Sequence, residues 1–144
     1  MTFSLPDVDV LFIAGFGPIV ADAVASRSLY LDTLHLPLKP LGESSDYLVA
    51  DTLDGVKHFA LWPLAQASQS CFGTDRWPDD VTVPQSWLEF EVADMAAATA
   101  AVKRAGYTLL VDNRLEPWGQ WVTRFLSPEA ILVGVTHTPW LRGE

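Results

Sequence analysis

The tripeptide Val-Ala-Asp occurs twice, at Val20-Ala21-Asp22 and at Val92-Ala93-Asp94, 72 residues apart in a chain of 144. Each copy ends an apolar, strand-like run and starts a helical one. The second copy is the clearer. In V-P-Q-S-W-L-E-F-E-V-A-D, which opens at Val83, Leu88, Phe90 and Val92 alternate with Trp87, Glu89 and Glu91. That is the period of a strand. Asp94 suits an N-cap. The alanine-rich stretch after it is amphipathic and ends at Gly106, a C′ glycine. The pattern predicts a strand that buries Leu88, Phe90 and Val92 under a helix and turns Trp87, Glu89 and Glu91 to whatever lies on its other side.

The first copy follows the same order. Residues 9–20 form a β-prone run interrupted by Gly15, Gly17 and Pro18. Such residues mark a bulge, an edge, or backbone lying close to a ligand or partner. Asp22 caps a second amphipathic helix, whose expected apolar face is Val24, Leu29, Leu31 and Leu34, with Tyr30 beside it. The prolines at 37 and 40 confine the extended piece around them to an edge. Residues 46–53 and 56–62 read as strands joined by Asp54-Gly55, the strongest short-range hairpin signal. A short helix is predicted over 65–72, and the acidic, turn-rich 73–83 reads as a linker. After Tyr107, strands are expected at 108–111, 121–126 and 131–135, with 112–120 as a polar connection.

The order is therefore β-α-β-β-β twice. The chain reads as one α+β domain of two tandem βαβββ modules, about 8–72 and 84–136, joined by 73–83. One helix covers only one face of such a module, so the other face needs a partner. Two modules side by side give a curved, mixed or antiparallel sheet with helices outside and a cup inside.

Eighteen acidic against nine basic residues leave a net charge of −9. Affinity for nucleic acid rests on cationic neutralisation of phosphate, and adsorption to an anionic membrane rests on basic clusters, so neither partner is expected. The charge favours cationic ligands, or simply solubility. Cys71 is the single cysteine, which excludes an intrachain disulfide and a thiolate metal site. Beside an aromatic in a short helix, it reads as a buried structural thiol. The first ten residues lack the basic flank and apolar run of a signal peptide, and no stretch reaches membrane-spanning length. The expected location is the cytoplasm.

Val20, Asp22, Ser26, Leu29-Tyr30 and Leu34 are similar to the "V-x-D-x3-S-x2-F-Y" stretch of the vicinal oxygen chelate superfamily. Pro117-Trp118-Gly119, followed by Phe125-Leu126-Ser127-Pro128-Glu129, resembles its "P-W-G…F-x-D-P-x-G". The resemblance covers nearly the whole chain and is nearest to the bleomycin-resistance branch. It implies the cup fold. Fold does not fix activity, since this superfamily spans glyoxalases, extradiol dioxygenases and drug-binding proteins. The resemblance also implies where metal-dependent members place His, Gln or Glu. Those positions fall here at Gly15, Trp87, Gly134 and near Trp62, Pro63 and Leu64. None of these side chains suits a metal ion. The expectation is a site without metal or other cofactor. A substituted site of His58, Glu89 and Glu91 is the alternative, because residues two apart on a strand share a face.

Trp62, Trp87, Trp118 and Trp121 fall on or near cup-forming strands, whereas Trp77 and Trp140 are expected to pack in the core or at an interface. Flat rings over an open cavity suit planar or cationic ligands. The reading is a small-molecule-binding protein, a homodimer, that sequesters an aromatic or cationic ligand with Trp87, Glu89, Glu91, Trp118, His58 and Trp62. The alternatives are a lyase or dioxygenase-type enzyme with substituted metal ligands, and an interaction module whose cup a partner fills.

Overall fold

The computed structural model describes residues 8–33, 35–43 and 45–144. The first seven residues, Leu34 and the side chain of Leu29 lie outside that description, so the reading of the N-terminus and half of the first helix's expected apolar face lie outside it too. The strands are β1 (Val10–Val20), β2 (Lys39–Pro40), β3 (Leu48–Ala50), β4 (Phe59–Pro63), β5 (Ser86–Val92), β6 (Val111–Leu115), β7 (Trp121–Leu126) and β8 (Leu132–His137). The helices are α1 (Ala23–Arg27), which runs on into a π-helical turn at Ser28–Thr33, α2 (Leu64–Phe72) and α3 (Met95–Arg104); a 3₁₀ turn, Pro139–Leu141, follows β8.

All eight strands join one sheet in the order β2-β3-β4-β1-β5-β8-β7-β6. Each half is a βαβββ unit whose first strand lies parallel to its last, β1 with β4 and β5 with β8. The halves meet where β1 and β5 run antiparallel. Gly17 stands opposite Trp87, and Gly15 opposite Glu89. In the 72-residue repeat, Gly15 corresponds to Trp87 and Gly17 to Glu89, so the register is that of a two-fold. Its axis passes through Phe16 and Leu88, which are repeat equivalents and directly paired.

The repeated aspartates do the same work in both halves. Asp22 Oδ1 accepts from the amide of Ala25, and Asp94 Oδ1 from that of Ala97, each at 3.0 Å. Beyond the caps the halves differ. α3 packs on β6, β7 and β8 rather than over β5. Val92 is buried with Ala98 and Val135, but Leu88 and Phe90 are only partly covered. The more deeply buried face of β5 is the one with Trp87, Glu89 and Glu91. α1 buries none of its residues, and Val24 is 82% exposed. Tyr30 and Leu31, from the π-helical turn, pack against the core.

The Asp54-Gly55 hairpin forms with the expected register. Ala50 faces Phe59 and Leu48 faces Leu61, both centred on residues 54 and 55, but strand pairing begins only beyond 51–58. The two-residue β2 is an edge strand, as Pro40 requires. β6 lies three residues later than expected, on V-D-N-R-L. Asn113 adopts φ 42° beside a register shift between Val111 and Arg114. The 73–83 segment is mostly exposed but anchored at one residue: Trp77 is buried, meets Phe72 edge-on at 4.9 Å and donates from Nε1 to the Val81 carbonyl at 3.0 Å. Among the described residues, no helix is long and apolar enough to cross a membrane.

Candidate functional site

The concave side of the sheet encloses a cavity of about 560 Å³, within the range of small-molecule sites. Its deep part is aromatic. Trp62 and Trp87 meet edge-on at 5.7 Å, and His58 meets the Trp87 ring at 5.9 Å. Trp118 and Trp140, about half exposed, line the mouth.

Trp87 is fixed by two glycines on the neighbouring strand. Its Nε1 donates to the Ala60 carbonyl at 3.3 Å. A Cβ on Gly17 would stand 1.9 Å from that same oxygen, and a Cβ on Gly15 would stand 3.0 Å from Cη2 of the indole. The interruptions in β1 are thus sites where backbone and ring close in on the strand. Bulges are also present, between Val10 and Phe12 and between Ile13 and Gly15.

Both glutamates point to the concave side, as their spacing predicts, and both are taken up by internal partners. Glu89 accepts from Arg124 Nη1 and from Gln120 Nε2, each at 2.8 Å. The buried Arg124 guanidinium lies 4.7 Å over the Trp62 ring, a cation–π contact. Glu91 does not line the cavity. It is fully buried and accepts from Thr136 Oγ1 at 2.8 Å, from the Thr138 amide at 2.5 Å and from Arg142 Nε at 2.7 Å. Its expected place among the ligand contacts is therefore corrected: the carboxylate binds the C-terminal segment. The expected acidic lining is correspondingly reduced, because an arginine neutralises each glutamate. Asp51, exposed at the mouth, is the other carboxylate of the lining.

His58 Nε2 and the Tyr47 hydroxyl share a hydrogen bond of 2.7 Å on the cavity wall. Desolvation lowers the pKa of His58, against the opposing pull of Glu89 and Asp51. Desolvation, reinforced by Glu89 and opposed by Arg124, raises that of Tyr47. Both are neutral at neutral pH, so the pair offers hydrogen bonds rather than charge. Cys71 is buried away from the lining, and desolvation pushes its thiol up to about 11, in keeping with a structural role.

The donor set does not fit a metal. Gly15 and Gly134 have no side chain, and Trp87 covers Gly15. The space a side chain on Gly134 would need is bounded by Glu89, Val122 and Arg124 at 3.3–3.4 Å. Phe16 pairs with Phe59 and Ile19 with Trp62, which sets Ala60, not the strand's end, as the β4 counterpart of Gly134. Nor do His58, Glu89 and Glu91 converge. Among the described residues, no three His, Cys, Asp or Glu side chains are grouped as metal ligands would be.

Of the remaining expected contacts, Trp62, Trp87, Trp118, His58 and Glu89 lie on the cavity. Trp121 does not. Tyr47, Gln120, Arg124, Thr138 and Trp140 were not foreseen there. The lone arginine within W-V-T-R-F-L was the available signal for Arg124, since it shares strand parity with the buried Val122.

Two βαβββ units sharing one sheet around a cup define the vicinal oxygen chelate fold, and solved structures bear this out. The chain is similar to a glyoxalase/bleomycin resistance protein/dioxygenase superfamily member from Vibrio splendidus 12B01, with 14% identity, TM-score 0.54, and coverage of 91% of this chain and 99% of that one. It is similar to methylmalonyl-CoA epimerase from Mycobacterium tuberculosis, with 16% identity, TM-score 0.57, and coverage of 98% and 97%. It also matches an extradiol ring-cleaving dioxygenase from B. fuscum, with 18% identity, TM-score 0.57, and coverage of 90% of this chain and 33% of that longer one. At these identities the likeness is one of fold. No protein-family model matches the sequence, and no curated protein sequence matches it.

Proposed function

We propose that this protein binds and sequesters a small planar aromatic molecule in the tryptophan-lined cavity, without a metal ion or other cofactor. One observation carries the reading: four tryptophans, Trp62, Trp87, Trp118 and Trp140, line one cavity whose superfamily metal positions carry no donor. Rings at the floor and mouth suit stacking on a flat ligand. His58 and Tyr47 supply the few polar contacts that orient it. A positive charge on the ligand is tolerated and drawn mainly by Asp51 and the net charge, since Glu89 is already paired. Sequestration of a toxic aromatic compound, an antibiotic among them, in the cytoplasm is a use this reading supports. A homodimer belongs to the same reading.

The runner-up reading is an enzyme of lyase or dioxygenase type with substituted ligands, which would need donors beyond the Tyr47–His58 pair. Two measurements separate them. Titration with N-phenyl-1-naphthylamine, a neutral planar aromatic, and with thioflavin T, a planar cation, is expected to quench tryptophan fluorescence saturably. Trp118→Ala is expected to weaken binding by about 1 kcal/mol, the scale of one aromatic contact. A stoichiometric, tightly held divalent ion in protein purified without chelator, or no saturable quenching by either dye, overturns the proposal.

A further inference from the structure

The mouth of the cavity is partly built from the last turn of the chain. Pro139–Leu141 places Trp140 and Leu141 on the lining, and Trp140 remains 51% exposed. So short a turn has little packing of its own to hold it. It is held from beneath by Glu91, which is central in the sheet and wholly buried. Arg142, just after the turn, donates from Nε to Glu91 Oε2 at 2.7 Å and from Nη2 to the Val92 carbonyl. Thr138, just before the turn, donates its amide to the same Oε2 at 2.5 Å. One carboxylate oxygen therefore grips both ends of the turn. Thr138 Oγ1 also accepts from Gln120 Nε2 at 3.0 Å, and Gln120 Oε1 accepts from Trp118 Nε1 at 2.9 Å. The two rim tryptophans thus hang on one polar network. His137 Nε2, 3.1 Å from Glu144, adds an outer contact.

We propose that Glu91 and Arg142 latch the C-terminal turn onto the sheet as a wall of the cavity, so that both are positioning residues that set how long the ligand stays. The inference rests on the ligand-binding reading of the cavity. Glu91, which the strand pattern offers as a ligand contact, acts through Arg142 and Thr138 instead. Charge-assisted hydrogen bonds to a buried carboxylate are among the stronger ones, and their loss frees the wall without touching the floor. Affinity among variants of one site changes mainly through dissociation.

The test uses the full chain and N-phenyl-1-naphthylamine. In Arg142→Met, dissociation of the dye measured by stopped flow is expected to be about tenfold faster with association unchanged, a shift worth about 1.4 kcal/mol. Amide exchange at Thr138 is expected to speed up in parallel. Arg142→Lys, which keeps the charge and one donor, is expected to recover part of both effects. Trp140→Ala, an exposed position that leaves the fold intact, is expected to release the dye faster while leaving Thr138 exchange as in the wild type. Unchanged dissociation in Trp140→Ala shows that the turn is no wall and overturns the proposal. Faster exchange in Arg142→Met with unchanged dissociation shows that the latch holds the turn but not the ligand, and overturns it as well. A wild type that binds neither dye sinks the ligand-binding reading itself, an outcome read before any variant is made.

Discussion

A Cβ on Gly17 would stand 1.9 Å from the Ala60 carbonyl oxygen and 3.0 Å from Trp87 Nε1. No side-chain rotation relieves a clash with backbone, so β1 and β4 would have to part at the point where Trp87 bonds to Ala60. Gly134 is different. Its nearest neighbours lie at 3.3–3.4 Å, and all are side-chain atoms. Gly17→Ala is therefore expected to cost about 2 kcal/mol, in the range of overpacked cores, and to loosen Trp87. Gly134→Ala is expected to cost clearly less. Urea unfolding of the two variants, with the wavelength of tryptophan emission as a second readout, checks the contrast; equal costs would mean that the close approach at Gly17 is not rigid. The need for glycine here was legible as an interruption of a strand pattern, though not which neighbour imposed it. The glutamates show the same limit. Their shared face was legible from their spacing of two. Their partners were not, because Arg124 lies 35 residues from Glu89 and Arg142 lies 51 from Glu91. Strand parity is local information, whereas neutralisation of a carboxylate is decided by the tertiary fold.

At the scale of elements, the duplicated Val-Ala-Asp shows what local sequence determines. Both aspartates cap helices with the same 3.0 Å bond. The helices behind them carry different loads. α3 runs ten residues, buries Ala98 and Thr99, and joins β7 through a 2.7 Å bond between Thr99 and Thr123. α1 runs five residues and buries none. Removing the cap should matter where the helix is packed, since a frayed first turn then takes core contacts with it. Asp94→Ala is expected to lower stability by about 1 kcal/mol, the usual cost of losing an N-cap. Asp22→Ala is expected to cost a smaller amount, and thermal unfolding of the two variants distinguishes them. Equal losses would show that α1 is tied to the fold as firmly as α3. The pairing of β3 with β4 about Asp54-Gly55 was legible, but not the strand ends, because residues 51–58 leave the ladder that a two-residue turn would have continued. The placement of β6 was not. Its sequence, V-D-N-R-L, is polar on an edge, and a left-handed Asn113 breaks the alternation by which strands are recognised.

At the scale of the molecule, the two modules are symmetric in their sheet and asymmetric in their cover. The axis relating them runs through the Phe16–Leu88 pair, and among the described residues no helix packs closely over that region on the convex side. α3 packs over β6–β8, and α1 buries none of its residues. Ile13 and Phe16 are left 49% and 43% exposed, in a shallow groove with Val56 and Leu88. Contiguous apolar surface of this kind marks an association face. The groove comes mostly from the first module, with Gly55 and Lys57 on its lining beside Leu88 of the second, and the same patch meeting itself on a second copy is the isologous contact of a homodimer. Sedimentation velocity is accordingly expected to give twice the chain mass of 15.8 kDa. Phe16→Glu, a charge placed on the axis, is expected to return the chain to a monomer while leaving the concave cavity able to bind N-phenyl-1-naphthylamine, because Phe16 and the cavity lie on opposite faces of the sheet. A wild-type monomer at every concentration would leave the convex apolar face without this partner. A Phe16→Glu dimer would place the contact elsewhere on the surface. Loss of dye binding together with dimerisation would show that the two faces of the sheet are coupled, and that the cup is shaped by the partner behind it.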